Sequence, residues 1–319
     1  MRKTLSTLAA LLLVLSLGLV YVQAETVEVT DITGTVEVPL NPERIVALDN
    51  RTFQTLSDWG IKLLAVPKDV MPDSSLYKSD EAVLNVGNHR EPNLEIIAAC
   101  DPQLVIIGQR FVAHAEQIRE LVPQAAVIDL TWDVSEKAES PGENLVNGLK
   151  TSTTTLGKIF QKEAEAERLI ADFDKAIANV KAAYNGKDTI MSLVVSGGKM
   201  GFSAPGSGRV WGPWYEIFGW VPALEIAEAS ANHKGDDISV EAIAQSNPDW
   251  MFVIDRDAGS KKEGEFTLAK DVIENSEALK NLTAVKEAKI IYAPPDTYTD
   301  ESIQNYLLLF SEMADKLAN

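Results

Sequence analysis

The segment Glu95-Ile-Ile-Ala-Ala-Cys-Asp-Pro-Gln-Leu-Val-Ile-Ile-Gly-Gln-Arg110 returns 146 positions later as Glu241-Ala-Ile-Ala-Gln-Ser-Asn-Pro-Asp-Trp-Met-Phe-Val-Ile-Asp-Arg256. A chain that repeats a helix-turn-strand unit at this separation builds two matching halves. In each copy a short helical stretch gives way to a proline turn, Asp101-Pro102 or Asn247-Pro248. An apolar strand run follows, Leu104 to Ile107 or Trp250 to Ile254. Ligands of open α/β sheets bind beyond the carboxyl ends of the strands, and there both copies end in an arginine, Arg110 and Arg256. Two lobes that each offer one guanidinium at the edge of a shared cleft describe a clamp for an anion.

Residues 1–24 combine a basic start (Arg2, Lys3), an apolar run from Leu8 to Val22 and a small-residue end at Ala24. This is the pattern of a secretory signal peptide cut after Ala24. Ser16 and Gly18 interrupt a run that is already short for a membrane anchor, and no later stretch is apolar for long enough to cross a bilayer. The lone cysteine, Cys100, excludes a disulfide framework, and it lies far from Ala24, where a lipid would have to be attached. The expectation is a soluble, monomeric protein of the periplasm in which Cys100 is a small buried hydrophobe. With 29 Lys and Arg against 47 Asp and Glu, the formal charge is −18. Such a surface turns away nucleic acid and anionic membranes. It still allows an anionic ligand, because exposed charges are screened beyond about 8 Å at physiological salt and a local arginine cluster governs its own cleft.

The fold class expected is α/β, with two doubly wound lobes joined by a long inter-lobe helix. Val27 to Pro39 alternates apolar and polar residues around Asp31-Ile-Thr-Gly34, the signature of a β-hairpin. The run Arg44 to Leu48, a helix through Trp59, the stop at Gly60 and the strand Lys62 to Val66 have β-α-β punctuation. With the repeat unit and a strand from Ala125 to Leu130, they make a first lobe over residues 25–142. Residues 143–184 lack proline and place Leu145, Leu149, Leu156, Phe173, Ile177 and Val180 at helical spacing, as one long helix or two abutting ones. A helical bridge is a stiff hinge that allows only small closure movements. The second lobe, 185–319, begins with a strand from Thr189 to Val195 and ends with a strand from Lys289 to Tyr292 and a helix from Asp300 to Leu317.

The hairpin Val29-Thr-Asp-Ile-Thr-Gly-Thr-Val-Glu-Val-Pro39, the run Pro42-Glu-Arg-Ile-Val46, the pattern from Pro92 to Val105 and the long central helix occur in a specific order. Over essentially the whole mature chain they resemble the periplasmic binding proteins of ferric-siderophore and cobalamin ABC importers, most of all the branch that binds ferric catecholate siderophores. The resemblance implies a ligand held between two lobes and three arginines that contact it: Arg110, Arg209 in Pro205-Gly-Ser-Gly-Arg209, and Arg256. It implies His233 and Tyr298 as direct iron ligands, with Tyr292 the fallback because the loop Asp296 to Asp300 is more polar than is usual in that branch. It also implies that Glu95 and Glu241, one per lobe, dock onto the permease of the importer. No cofactor is intrinsic; Fe(III) enters as the siderophore complex.

Chemistry independent of the resemblance agrees. Catecholate oxygens around Fe(III) carry net negative charge, and a guanidinium is always ionised, donates in a planar fork and stacks on rings. A chelator that fills four of six octahedral positions leaves two for an imidazole and a phenolate. A lone arginine is more often a surface ion-pair partner, which is where Arg51 and Arg90 stand as second-tier candidates. An acidic residue in a first helical turn is favoured by the helix dipole whatever its function, and Asn93 and Ser239 are the expected N-caps before Glu95 and Glu241. The aromatic segment Pro205 to Trp220 mostly lines a core, with Trp211 or Trp214 the rings best placed to stack on a ligand.

Haem or cobalamin is the nearest alternative ligand, though neither presents the concentrated charge that three arginines answer. A bare Mn or Zn carrier finds no support in three histidines scattered at 89, 114 and 233. A secreted hydrolase would need a Gly-x-Ser-x-Gly elbow or a His-Glu-x-x-His helix, and the chain has neither; Ser196-Gly-Gly-Lys199 is too short for a phosphate loop. The chain is therefore expected to bind and not to catalyse.

Overall fold

In a computed structural model the residues described are 25–135, 137–206, 210–226, 233–260 and 266–318. Residues 1–24, expected to be a signal peptide, and Arg209 lie outside them. The alternating segment pairs as a hairpin, β1 (Thr26–Asp31) with β2 (Gly34–Pro39), and the Asp31 carboxylate accepts from the Thr33 amide at 2.7 Å to tighten the turn.

The first sheet is wholly parallel. Its strands are β3 (Ile45–Ala47), β4 (Ala65–Val66), β5 (Leu84–Asn85), β6 (Leu104–Ile107) and β7 (Ala126–Asp129), in the order β5-β4-β3-β6-β7. Continuous apolar runs suit a sheet covered on both faces. Ile45, Ala47, Leu104 and Ile106 pack with Phe53 and Leu56 on one side. Val46, Val105 and Ile107 pack with Ile97 and Ile118 on the other. The chain runs outward from β3 to β5 and then returns to β6 on the opposite side of β3. Ligands of such sheets bind beyond the carboxyl ends of the strands at this reversal, where the loops leaving β3 and β6 lie. They carry Asp49 to Arg51 and Gln109-Arg110.

The second sheet contains β8 (Thr189–Ser196), β9 (Lys199–Phe202), β10 (Val221–Pro222), β11 (Asp236–Asp237), β12 (Trp250–Asp255) and β13 (Ile290–Tyr292). Its order is β11-β9-β8-β12-β13, with β10 also beside β8. This sheet is mixed, which the expectation of two doubly wound lobes did not foresee. Gly197 and Gly198 at φ +59° and +71° turn β8 straight back into antiparallel β9, where a parallel unit would need a helical crossover. Ser196 to Lys199 is thus a hairpin turn. The strand order reverses again between β8 and β12, and Arg256 follows β12 directly.

Two helices join the sheets, Pro141–Ile159 and Glu163–Ala183, broken at Gln161 with φ +52°. Leu145 and Leu149 of the first belong to the second lobe's core, whereas Leu156 and Ile159 belong to the first lobe's. One rigid element therefore spans both lobes. The last helix, Ile303–Leu317, starts three residues later than expected because Ser302 caps it, accepting from the Asn305 amide at 3.3 Å. Among the described residues no helix is long and apolar enough to cross a membrane.

Candidate functional site

The two strand-order reversals face each other across a cavity of about 870 Å³, a size that suits a small-molecule ligand. Its first wall comes from the carboxyl ends of β5, β6 and β7, whose loops bring Arg90, Arg110 and Trp132; the second brings His233, Arg256 and Tyr298. The repeat arginines thus stand on opposite walls of one cleft, as the internal symmetry predicts.

Arg110 is held across the cleft. Its Nη1 donates to the Val70 carbonyl at 3.3 Å and its Nη2 to the Tyr298 carbonyl of the other lobe at 3.0 Å. Burial pushes its guanidinium down to about 10, which leaves it charged at neutral pH. Arg256 donates from Nη1 to Ser196 Oγ at 2.9 Å, with the Asp257 carboxylate at 3.9 Å, so β8 and β12 together fix it. Its guanidinium carbon lies 4.9 Å from the centre of the Tyr298 ring. His233 and Tyr298 come together as a pair, ring centroids 6.5 Å apart. The tight packing of Gly259 against Pro295, where a Cβ would meet the Pro295 carbonyl at 2.5 Å, sets the turn Pro295–Tyr298 beside Arg256.

Beneath the first wall lies a buried charge cluster. Arg51, 3% exposed, rests its guanidinium over Trp132 at 3.9 Å from the ring centre. Its Nε lies 3.4 Å from Oε2 of Glu301, a second-lobe residue that is fully buried. Glu301 Oε1 is 3.9 Å from Arg110 Nη2. Asp49 is also buried here; burial pushes its carboxyl up to about 6, with Arg51 and Arg110 opposing that rise. A side chain at Gly108 would sit 2.1 Å from Asp49 Oδ1, so the close approach of the β3 and β6 loops requires glycine.

Five cations (Lys78, Arg90, Arg110, Lys234, Arg256) and four aspartates line the cavity among the described residues. The balance there is near even, unlike the −18 of the whole chain, which is the local independence from the surface that an anion site needs. Other expectations fall elsewhere. Trp211 and Trp214 have no exposed surface and pack with Phe252, Phe310 and Tyr306 in the second lobe's core, so neither can stack on a ligand. Tyr292, the fallback ligand, is not among the residues lining the cavity and donates to Glu274 at 3.2 Å. Arg90 does line the cavity, whereas Arg51 supports it from below. Cys100 is half-buried at the end of the helix Leu94–Ala99. His89 joins His233 on the lining, a proximity that their separation of 144 positions concealed. Glu95 and Glu241 are exposed in the first turns of their helices, and Asn93 and Ser239 accept from the amides of Ile96 and Ala242 as N-caps. Trp132 and Glu301 gave no signal in the sequence, since a tryptophan after a strand and an acid before a helix are common and only the fold unites them.

Residues 45–297 match the family model of periplasmic binding proteins. The chain is 32% identical over 291 residues to the petrobactin-binding protein YclQ of Bacillus subtilis, an alignment covering 90% of this chain and 86% of that one. It is 28% identical over 283 residues to the ferric-anguibactin-binding protein FatB of Vibrio anguillarum, across 88% of this chain and 84% of that one. The crystal structure of YclQ superposes with a TM-score of 0.76, covering 92% of this chain and 99% of that one. With two α/β lobes around a charged cleft and a match running from β3 into the turn below Tyr298, the chain belongs to the periplasmic binding protein family.

Proposed function

We propose that this protein captures a ferric siderophore of the catecholate type between its lobes and delivers it to an ABC importer for iron uptake, with no chemistry of its own. The observation that carries the proposal is the opposition of Arg110 and Arg256 on the two walls of one cavity, beside the His233 and Tyr298 pair. A guanidinium on each wall answers an anion that bridges the lobes. His233 Nε2 or Nδ1 and the Tyr298 phenolate supply two donors to iron that a four-coordinating chelator leaves open. Arg209 is the third ligand contact. Among the described residues no group of three or more His, Cys, Asp or Glu could hold a metal ion, which favours iron arriving inside a chelator. The relatives named for petrobactin and ferric anguibactin support the same class. Residues 1–24 direct export to the periplasm, 25–142 and 185–319 act as the closing lobes, 143–184 as their bridge, and the carrier works as a monomer.

A fluorescence titration of the mature protein with ferric bis-catecholate, ferric tris-catecholate, ferric hydroxamate, haem and cobalamin tests the reading. Tight binding of a ferric catecholate is the expected result, and preference for the four-coordinating form supports iron ligation by His233 and Tyr298. Binding to haem or cobalamin alone would discard the siderophore and keep the fold. Arg110→Ala and Arg256→Ala are each expected to weaken the ferric complex by about 1–3 kcal/mol, the size of a charge-assisted contact. Two neutral results would remove the clamp.

A further inference from the structure

Glu301 does not line the cavity, yet it stands directly behind the first wall. Its carboxylate comes from the second lobe, has no exposed surface, and reaches two first-lobe arginines: Arg51 Nε at 3.4 Å and Arg110 Nη2 at 3.9 Å. Arg51 is itself 1% exposed at its side chain and does not line the cavity either, whereas Arg110 does. A buried ion pair contributes little stability over apolar residues of the same size, so stability alone does not account for this one. Position supplies a role. Charges at this depth are poorly screened by salt, so Glu301 and Arg51 both act on whatever anion sits against Arg110. The local geometry keeps the carboxylate there: Glu301 directly precedes the capping residue of the fifteen-residue helix Ile303–Leu317, whose positive end favours an anion. Its neighbour Asp300 is pinned by the Ser302 amide at 3.0 Å.

We propose that Glu301 is a specificity-determining residue that sets how much ligand charge the cleft accepts. Standing between Arg51 behind the first wall and Arg110 on it, Glu301 joins the buried Asp49 in offsetting the two guanidinium charges, so the site is tempered against the most highly charged anions without Glu301 touching the ligand. Arg51 is its counterweight, raising the same potential that Glu301 lowers. This inference rests on the anion-binding reading of the cleft.

The test compares the affinities of the mature protein for two ferric complexes of the same ring chemistry, a triply charged tris-catecholate and a singly charged bis-catecholate. Glu301→Gln is expected to move the affinity ratio toward the triply charged complex by roughly tenfold or more, the Coulombic weight of one poorly screened charge. Arg51→Met is expected to move it the other way by a similar factor. A purely structural role would lower both affinities together in both variants. An unchanged ratio, or a shift in the same direction for both variants, overturns the proposal. If either of these variants fails to fold, Glu301→Asp keeps a buried charge while drawing it back from both arginines. It should shift the ratio as Gln does, less strongly, and no shift overturns the proposal equally. Wild-type protein that binds neither complex would instead overturn the anion reading itself, an outcome told apart because no variant is needed to see it.

Discussion

At Gly148 a missing side chain holds the first wall in place. A Cβ there would lie 2.2 Å from Trp132 Cδ2, so Trp132 is seated between the bridging helix and the Arg51 guanidinium. In an exposed helix interior, glycine to alanine is worth up to about 1 kcal/mol in favour of alanine. Here overpacking opposes that gain, and Gly148→Ala is expected to destabilise by about 1–3 kcal/mol in urea unfolding; a stabilised variant would mean that the bridge yields easily. Asp49 makes a second residue-level prediction. Burial raises its carboxyl from 3.8 to about 6, so the folded state holds a proton that the unfolded chain has released. Between about pH 4 and pH 6 this group therefore costs stability as pH rises, and the cost is complete above that window. Asp49→Asn removes it, so variant minus wild-type stability should grow by on the order of 2 kcal/mol from pH 4 to pH 7. A constant difference would mean that Asp49 is solvated. None of these contacts was legible in sequence. Arg51, Trp132, Gly148 and Glu301 come from four separated stretches, and only the arginine drew notice.

Elements were easier to read than residues because their signals are periodic. The repeat holds to the level of single dihedral angles: Asp101 and Asn247, which precede the two prolines, are left-handed at φ +44° and +42°. A side chain with a Cβ pays about 1–2 kcal/mol for that conformation unless, like Asn or Asp, it hydrogen-bonds locally. Asn247 is instead anchored by a distant segment, its Oδ1 accepting from the Thr283 amide at 2.9 Å. Asn247→Ala is therefore expected to cost about 1–2 kcal/mol in urea unfolding. A neutral result would show that the turn relaxes to another conformation and that the repeat does not depend on it. The central strands β3, β4, β6, β7, β8, β12 and β13 were found because continuous apolar runs can only be buried on two faces, whereas β5, β9, β10 and β11 are too short or too polar to give that signal. Two misreadings had physical causes. Gly197-Gly198 reads in sequence only as too short for a phosphate loop, and its hairpin goes unread, since two glycines fit a tight turn as well as an open one. The segment Pro205 to Trp220 reads in sequence as mostly core, with Trp211 or Trp214 expected to reach a ligand; the bridging and terminal helices meet there, and Phe173 and Phe310 cover Trp214.

The whole molecule is organised around the helix Pro141–Ile159, whose two halves sit in different cores, and around cross-lobe bonds at the cleft floor such as Gln304 Nε2 to Asp58 at 3.0 Å. A helical bridge of this kind allows only small rotations, so the outer surface can present a nearly fixed spacing of features to a partner. We propose that use for Glu95 and Glu241: repeat symmetry puts one on each lobe, both are exposed, and neither lines the cavity. The bland account is that each merely favours its helix dipole, which is worth about 0.3–1 kcal/mol. The accounts separate cleanly. If the dipole is all, Glu95→Ala and Glu241→Ala lower stability by that amount and leave both ligand binding and iron uptake alone. If the two carboxylates dock onto a permease, purified variants still bind the ferric complex like wild type, while uptake by cells carrying the matched importer falls several-fold for each and further for the pair, because the loss of one contact leaves the other lobe without its register. Wild-type uptake in the double variant would reduce both residues to helix capping and shift the docking surface elsewhere on the two lobes.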